Sequence, residues 1–152
     1  KDKYKLFYKS KRIKYQKVDI TKINQVNSYI KENNNFDIVI DDSLHNYYGY
    51  TNNLKNFFPS VKPGGVYILE DFNPTDDYIE SIRKWNKDNN RKTWEYAQNT
   101  MEDVFKYIKE KKLFIDEHLD HKAQKYLMDN TKDIYSERSH HPAGSIAFIY
   151  KK

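Results

Sequence analysis

The chain has 152 residues, a length that suits one domain with a single core. Aromatic residues make up 16% of it, with 14 Tyr and 8 Phe, which argues against a disordered chain, collagen and a coiled coil. No apolar run approaches the roughly 20 residues of a membrane helix, and no secretory signal is evident. Cysteine is absent, which excludes disulfides and thiolate metal sites. We therefore expect a soluble, cytoplasmic folded protein.

The net charge is +5, from 27 Lys and Arg against 22 Asp and Glu. The basic residues are scattered except in residues 1–17, where Lys and Arg alternate with Tyr and Phe. Such a segment is typical of a surface that holds single-stranded nucleic acid, or of a solvated face built from amphipathic lysines. We favour the second interpretation and expect no nucleic-acid partner. An AT-rich genome enriches a protein in Lys, Asn, Tyr and Ile without selection for a basic surface, so the lysines need not serve nucleic-acid binding.

The first part of the chain alternates between strand and helix patterns. Residues 11–20 alternate between apolar and polar side chains and predict a short strand ending near Asp19. Thr21 is expected to cap a helix whose apolar face is Ile23, Val26 and Ile30. Residues 36–40 form a nearly continuous apolar run, which predicts a strand buried on both faces.

The next helix is predicted from the spacing of Leu54, Phe57, Phe58 and Val61. Residues 62–65 (Lys-Pro-Gly-Gly) are expected to end it, and residues 66–70 predict a second buried strand. Two later helices are predicted from Thr75, Tyr78, Ile82 and Trp85, and from Met101, Val104, Phe105 and Ile108. Residues 86–100 predict a loop or an insertion.

The last two predicted strands, residues 133–138 and 144–150, are expected to pair across a turn. Together the elements predict one α/β domain over residues 1–152. Its sheet would be Rossmann-like and mostly parallel, with helices on both faces and a C-terminal antiparallel hairpin at one edge.

Two of the predicted strands end in pairs of acids, Asp41-Asp42 and Glu70-Asp71. Because ligands bind outside the carboxyl ends of parallel strands, we expect both pairs at one edge of the sheet. Clustered carboxylates repel unless a cation lies among them, and they suit a hard ion such as Mg²⁺. The alternative is that each acid caps the turn or helix that follows it.

His45 lies three residues beyond Asp42, in the predicted loop over the same edge. An ordinary imidazole has a pKa of about 6.5, close to working pH, which suits a general base. The alternative is a loop histidine that hydrogen-bonds to the backbone.

The segments FDIVIDDSLH and KPGGVYILEDF resemble class I S-adenosylmethionine-dependent methyltransferases. Within that class they are most similar to metal-dependent O-methyltransferases of the macrolide-sugar and cephalosporin-pathway type. The resemblance implies that Asp42, Glu70 and Asp71 are the metal ligands and that His45 is the general base. It also implies S-adenosylmethionine contacts from Asp19, Ile20, Asp41 and Ser43. The implied reaction is O-methylation of a vicinal hydroxyl on a sugar or another small molecule.

The sequence departs from the family pattern in two places. Ser43-Leu44 stands where the family has Gly-Ser before the histidine, and residues 1–10 contain no glycine-rich turn to cradle the cofactor. We therefore expect upstream polypeptide or a second copy of the chain to complete the fold. Two alternatives stay open at this point: a non-catalytic methyltransferase-like interaction module, and a nucleic-acid methyltransferase or binder. Residues 73–132 match no motif and are expected to form a helical, substrate-side segment.

Three other groups of residues are candidates for binding. His118 and His121 would share one face of a helix, as transition-metal ligands or, as we favour, as part of a solvated surface. His140-His141 are expected in the turn of the C-terminal hairpin. Trp94 is a candidate for stacking on a flat substrate, whereas Trp85 has the spacing of a core residue.

Overall fold

The computed structural model describes residues 12–72, 84, 87–89, 99–138 and 144–152. Its elements in chain order are α1 Ile23–Glu32, β1 Phe36–Asp41, α2 Tyr47–Phe57, a 3₁₀ turn Phe58–Ser60, β2 Val61–Glu70, α3 Met101–Glu110, α4 His121–Asn130, β3 Thr131–Arg138 and β4 Ser145–Lys151. The predicted helix from Thr75, most of the predicted loop 86–100, Trp94 and His140-His141 lie outside the described residues. Among the helices of this described part, none has the length and apolar character that crossing a membrane requires.

The sheet has four strands in the order β1-β2-β4-β3. β1 runs parallel to β2, with Ile40 opposite Ile68, while β4 is antiparallel to both β2 and β3. The α/β class and the C-terminal edge hairpin are therefore as predicted. Within the described ranges the sheet has one parallel and two antiparallel pairs, so its mixed character is stronger than expected.

The core lies on one face of the sheet. There Tyr67, Leu69 and Ile149 are fully buried against apolar side chains of α2, α3 and α4. The side chains of Ile38 and Ile40, which point to the opposite face of β1, are 56% and 61% exposed. The prediction that β1 is buried on both faces is therefore wrong for the described structure, because the core packs on a single face of this strand.

The predicted strand over residues 11–20 is also wrong where the structure describes it. Residues 13–19 form no regular element, and the side chains of Ile13 and Tyr15 are 46% and 69% exposed. Alternation of side chains is not sufficient for a strand, since backbone groups also need a neighbouring strand to bond to.

α1 begins without the predicted cap. Its N-cap residue is Lys22, and the hydroxyl of Thr21 instead donates to Asp19 Oδ1 at 2.6 Å. The carboxylate of Asp19 also accepts from the Thr21 backbone N–H at 3.1 Å. These bonds form a tight polar turn just before the helix, which makes Asp19 rather than Thr21 the acceptor there.

β2 begins earlier than the sequence predicts. Val61, expected on the helix, is its buried first residue and lies opposite Phe36, yet the next aligned pair is Ile38 with Val66. The residues of β2 between these two pairs form an irregularity in the pairing, and within it Gly64 adopts a φ of +78°, a conformation that favours glycine. The Pro-Gly-Gly segment is therefore part of the strand rather than the end of a helix.

The side chain of Lys151, in β4, is 7% exposed and reaches the end of the α2–3₁₀ segment. Its Nζ donates to the carbonyls of Pro59 at 2.9 Å and Val61 at 2.6 Å. It also lies 5.6 Å from the centre of the Phe58 ring. A buried ammonium thus serves as the donor for carbonyl groups where the helix ends and β2 begins.

Replacing Lys151 by methionine is expected to lower the free energy of unfolding by about 1–3 kcal/mol, because the carbonyls lose a charged donor while the apolar stem is kept. Urea unfolding followed by circular dichroism measures the change. Lys152→Met is the matched control, since that Nζ donates to the Asp129 carbonyl at an exposed position, and we expect an effect within about 0.5 kcal/mol. Equal effects of the two variants would contradict the structural role assigned to Lys151.

Candidate metal centre at the carboxyl ends of β1 and β2

Three side chains that can ligate a metal converge where β1 and β2 end. Asp42, His45 and Asp71 each offer one ligand atom, and these atoms all lie within 4.8 Å of one another. Asp42 and His45 are exposed and Asp71 is half-buried. The parallel pairing of β1 with β2 explains the convergence, because it brings the carboxyl ends of both strands to one edge.

Asp42 and His45 are carried by the short loop between β1 and α2. His45 Nε2 lies 3.0 Å from Asp42 Oδ1, so the two side chains already form a hydrogen-bonded pair. The loop ends at Asn46, whose side chain caps α2 by accepting from the Gly49 N–H at 2.7 Å. The carboxylate and the imidazole therefore come from a single tight turn.

Asp71 is the first residue after β2 and has a φ of +51°, in the left-handed region. A non-glycine residue held there costs on the order of 1–3 kcal/mol, and such residues cluster at functional sites. The backbone is fixed on both sides: its N–H donates to the Ser145 carbonyl at 2.7 Å, and its carbonyl accepts from the Tyr50 hydroxyl at 2.5 Å. This turn is what directs the Asp71 carboxylate toward Asp42 and His45.

Glu70 is not part of this group in the described structure. It is the last residue of β2, and strand alternation places its half-buried side chain on the face opposite Leu69. The group that the structure assembles thus contains His45 where the sequence led us to expect Glu70. The assignment of Glu70 as a ligand stays a prediction.

Two of the predicted cofactor residues, Asp41 and Ser43, have side chains that are committed to an internal network. Asp41 is only 6% exposed. Its carboxylate oxygen Oδ1 accepts from Ser43 Oγ at 2.5 Å and from Asn53 Nδ2 at 3.0 Å. Its Oδ2 accepts from the Tyr67 hydroxyl at 2.6 Å. Burial, together with this carboxylate, raises the pKa of Tyr67 well above its ordinary value. The roles of Asp41 and Ser43 as cofactor contacts stay predictions.

The other two predicted cofactor residues, Asp19 and Ile20, are half-buried and precede α1. Hydrogen bonds from Thr21 lower the pKa of Asp19, and Lys22 Nζ lies 3.5 Å from its Oδ2. The Ile20 carbonyl accepts from Asn52 of α2 at 3.3 Å, which ties this segment to the helix that follows the loop with Asp42 and His45. Their roles as cofactor contacts stay predictions.

A second polar cluster, which the sequence did not predict, joins the start of α2 to the segment before α4. The Tyr47 hydroxyl donates to Asp116 Oδ2, and Asn99 donates to the same oxygen at 3.0 Å. Asp116 Oδ1 accepts from the N–H groups of His118 and Leu119, each at 2.8 Å. Burial of the Asp116 carboxyl raises its pKa, whereas these hydrogen bonds lower it. The hydrogen bonds have the larger combined effect, so the pKa of Asp116 is lowered.

The expectation that His118 and His121 share a helix face is wrong. α4 begins at His121, with Asp120 as its cap, and His118 lies in the preceding loop. There the His118 ring packs edge-on against Tyr48, with ring centres 5.1 Å apart. Neither histidine belongs to a potential metal-binding group within the described ranges.

The fold is similar to that of solved methyltransferases. One is the MycE methyltransferase from the mycinamycin biosynthetic pathway in complex with Mg and SAH, at 22% identity and a TM-score of 0.57 over 92% of this chain and 33% of that chain. Another is the MycE complex with Mg, SAH and mycinamycin VI, at 21% identity and a TM-score of 0.57 over 92% of this chain and 32% of that chain. The chain thus spans about a third of the length of these structures, and at this identity the similarity shows the fold alone.

No protein-family model matches the sequence, and no curated protein matches it.

Proposed function

We propose that this chain carries the divalent-metal site of an S-adenosylmethionine-dependent O-methyltransferase. The observation that supports the proposal most directly is the convergence of Asp42, His45 and Asp71 at the carboxyl ends of two parallel strands. The MycE structures, which share the fold, hold Mg and SAH. Because the chain spans about a third of MycE, the activity, the substrate and any partner chain are all part of the proposal.

The two carboxylates of this group, Asp42 and Asp71, suit a divalent cation, and His45 lies beside them. Two ligands on one such ion lie at most about 4.2 Å apart when each bond is about 2.1 Å, so ligand atoms within 4.8 Å need to move only slightly. Carboxylate oxygens match Mg²⁺ and Mn²⁺. His45 is not assigned as a ligand, so that a ring nitrogen stays available to accept a proton. A bound ion would supply Lewis-acid chemistry, lowering the pKa of a hydroxyl on a vicinal diol such as a sugar. We propose Glu70 as an additional ligand, reached by a change in its side-chain direction.

His45 is assigned the proton transfer. Its side chain is 47% exposed and its Nε2 lies 3.0 Å from Asp42 Oδ1, so the neighbouring carboxylate holds the ring at the metal group. An imidazole at this position can accept the hydroxyl proton of the substrate, the usual role of a histidine general base. The deprotonated oxygen is the atom that receives the methyl group.

S-adenosylmethionine is the proposed methyl donor, since SAH is what remains of it after methyl transfer. Asp19 offers it a carboxylate with a side chain 42% exposed. Ile20, Asp41 and Ser43 would contribute through backbone groups, because the side chains of Asp41 and Ser43 are already hydrogen-bonded to each other and to α2. We propose that upstream polypeptide or a second copy of the chain supplies the rest of this pocket.

A metal titration tests the proposed function. Isothermal titration of the protein with Mg²⁺ and with Mn²⁺ is expected to show one ion bound per chain, with Mn²⁺ binding more tightly. A protein that binds neither ion would contradict the proposal and favour a non-catalytic module with a methyltransferase fold.

A further inference from the structure

One face of α2 carries buried polar and small residues where a core-facing helix normally carries apolar ones. The set comprises the N-cap Asn46 with Gly49, Tyr50 and Asn53, which have the i, i+3, i+4, i+7 spacing of a single helix face. Asn46, Tyr50 and Asn53 are 7%, 2% and 3% exposed. Burying polar groups is costly unless they are hydrogen-bonded, so the partners of this α2 polar face are informative.

Asn53 contacts the residues on both sides of Asp42. Its Nδ2 donates to Asp41 Oδ1 at 3.0 Å and to Ser43 Oγ at 2.6 Å. Ser43 Oγ in turn donates to the same oxygen of Asp41. The side chains of the two residues that flank Asp42 are therefore tied to the middle of α2.

Gly49 allows the loop before the helix to lie directly on the helix backbone. A Cβ at this position would come within 2.6 Å of both Leu44 Cβ and the Leu44 carbonyl oxygen. No real Cβ makes such a contact, so Leu44, which directly precedes His45, is seated on this glycine.

Tyr50 contacts the third member of the metal group through its backbone. Its hydroxyl donates to the Asp71 carbonyl at 2.5 Å, next to the strained φ of +51° at that residue. The same helix face thus touches the backbone or the immediate neighbours of Asp42, His45 and Asp71, although these residues follow two different strands.

We propose that the α2 polar face positions the metal-binding carboxylates, setting the separation between Asp42 with its neighbour His45 on one side and Asp71 on the other. This inference rests on the proposed metal site. Tyr50 and Asn53 are positioning residues, since they act through the backbone and neighbours of the ligands. Partners of this kind, one step removed from the metal, typically change metal affinity 10- to 100-fold when mutated.

Mn²⁺ affinity, measured on the protein by electron paramagnetic resonance, tests the inference. Tyr50→Phe removes one hydroxyl and Asn53→Leu removes the amide, and each is expected to weaken Mn²⁺ binding by about tenfold or more. Thr51→Val is the matched control, because this buried hydroxyl of the same helix donates to the Tyr47 carbonyl within α2. Its Mn²⁺ affinity is expected to stay within twofold of the wild type. All titrations are made at a temperature where thermal unfolding shows each variant fully folded, so that stability does not enter the affinity.

The outcomes separate this inference from the proposed function. If the wild type binds Mn²⁺ and both Tyr50→Phe and Asn53→Leu bind it equally well, the positioning role is overturned while the metal site stands. If Thr51→Val weakens binding as much as they do, the polar face has no special role and the inference also fails. If the wild type binds no Mn²⁺, the inference and the proposed function fall together. Should Asn53→Leu fail to fold, the conservative Tyr50→Phe decides alone.

Discussion

Replacing Asp42 by alanine is expected to abolish metal binding and to reduce methyl transfer about a thousandfold or more, since a metal ion supplies several kcal/mol of transition-state stabilisation. The change removes one of the three ligand atoms that lie within 4.8 Å of one another. It also removes the acceptor 3.0 Å from His45 Nε2, leaving the imidazole without the group that orients it. In the proposed mechanism, both losses act on the same step, the activation of the substrate hydroxyl.

The measurement is transfer of a labelled methyl group from S-adenosylmethionine to diol substrates in excess Mg²⁺, together with a metal titration of the variant. Asp37→Ala is the matched control, because this acid also lies on β1 but is exposed and ion-paired with Lys62. We expect it to bind metal and transfer methyl groups as the wild type does. An undiminished rate in the Asp42 variant would rule out a metal role for that carboxylate.

Replacing His45 by alanine is expected to lower turnover by about two to four orders of magnitude, the usual contribution of a general base. The imidazole side chain is 47% exposed beside the metal group, where a substrate hydroxyl can reach it. Adding imidazole to the buffer is expected to restore part of the rate, because a free base can occupy the space that the side chain leaves. Rescue of this kind would not follow if His45 only stabilised the loop.

His121→Ala serves as the control for this experiment, since that histidine is an exposed first residue of α4. It is expected to turn over at the wild-type rate and to show no response to added imidazole. A change of less than threefold in the His45 variant would reduce His45 to a loop residue and remove the general base from the proposed mechanism.

Elements with a strong local pattern were predicted well. The spacing of Met101, Val104, Phe105 and Ile108 gave helix α3, and the structure adds the reason for its start, a capping box between Thr100 and Asp103. The C-terminal hairpin was also predicted, and the structure adds its register, in which Ile134 lies opposite Ile149. In both cases the information lies within a few turns or across a single hairpin, so a short stretch of sequence contains it.

Elements that depend on distant partners were predicted poorly. Residues 13–19 have the alternation of a strand and form none in the described structure, because alternation says nothing about which strand lies beside it. The apolar run of β1 was expected to be buried on both faces, yet Ile38 and Ile40 are more than half exposed. Whether a strand face is buried depends on which other elements pack on it, and the sequence of the strand alone does not specify those elements.

In the candidate site too, some features follow from the local sequence and others depend on distant partners. The sequence by itself determined that acids follow β1 and β2 and that His45 stands close behind, because residue order fixes what comes after a strand. Only the tertiary structure showed that Asp71 lies within reach of both Asp42 and His45, and that Asp41 is enclosed by Asn53 and Tyr67. Which of two adjacent carboxylates faces a site depends on a backbone angle, and here contacts from α2 and β4 hold that angle in place.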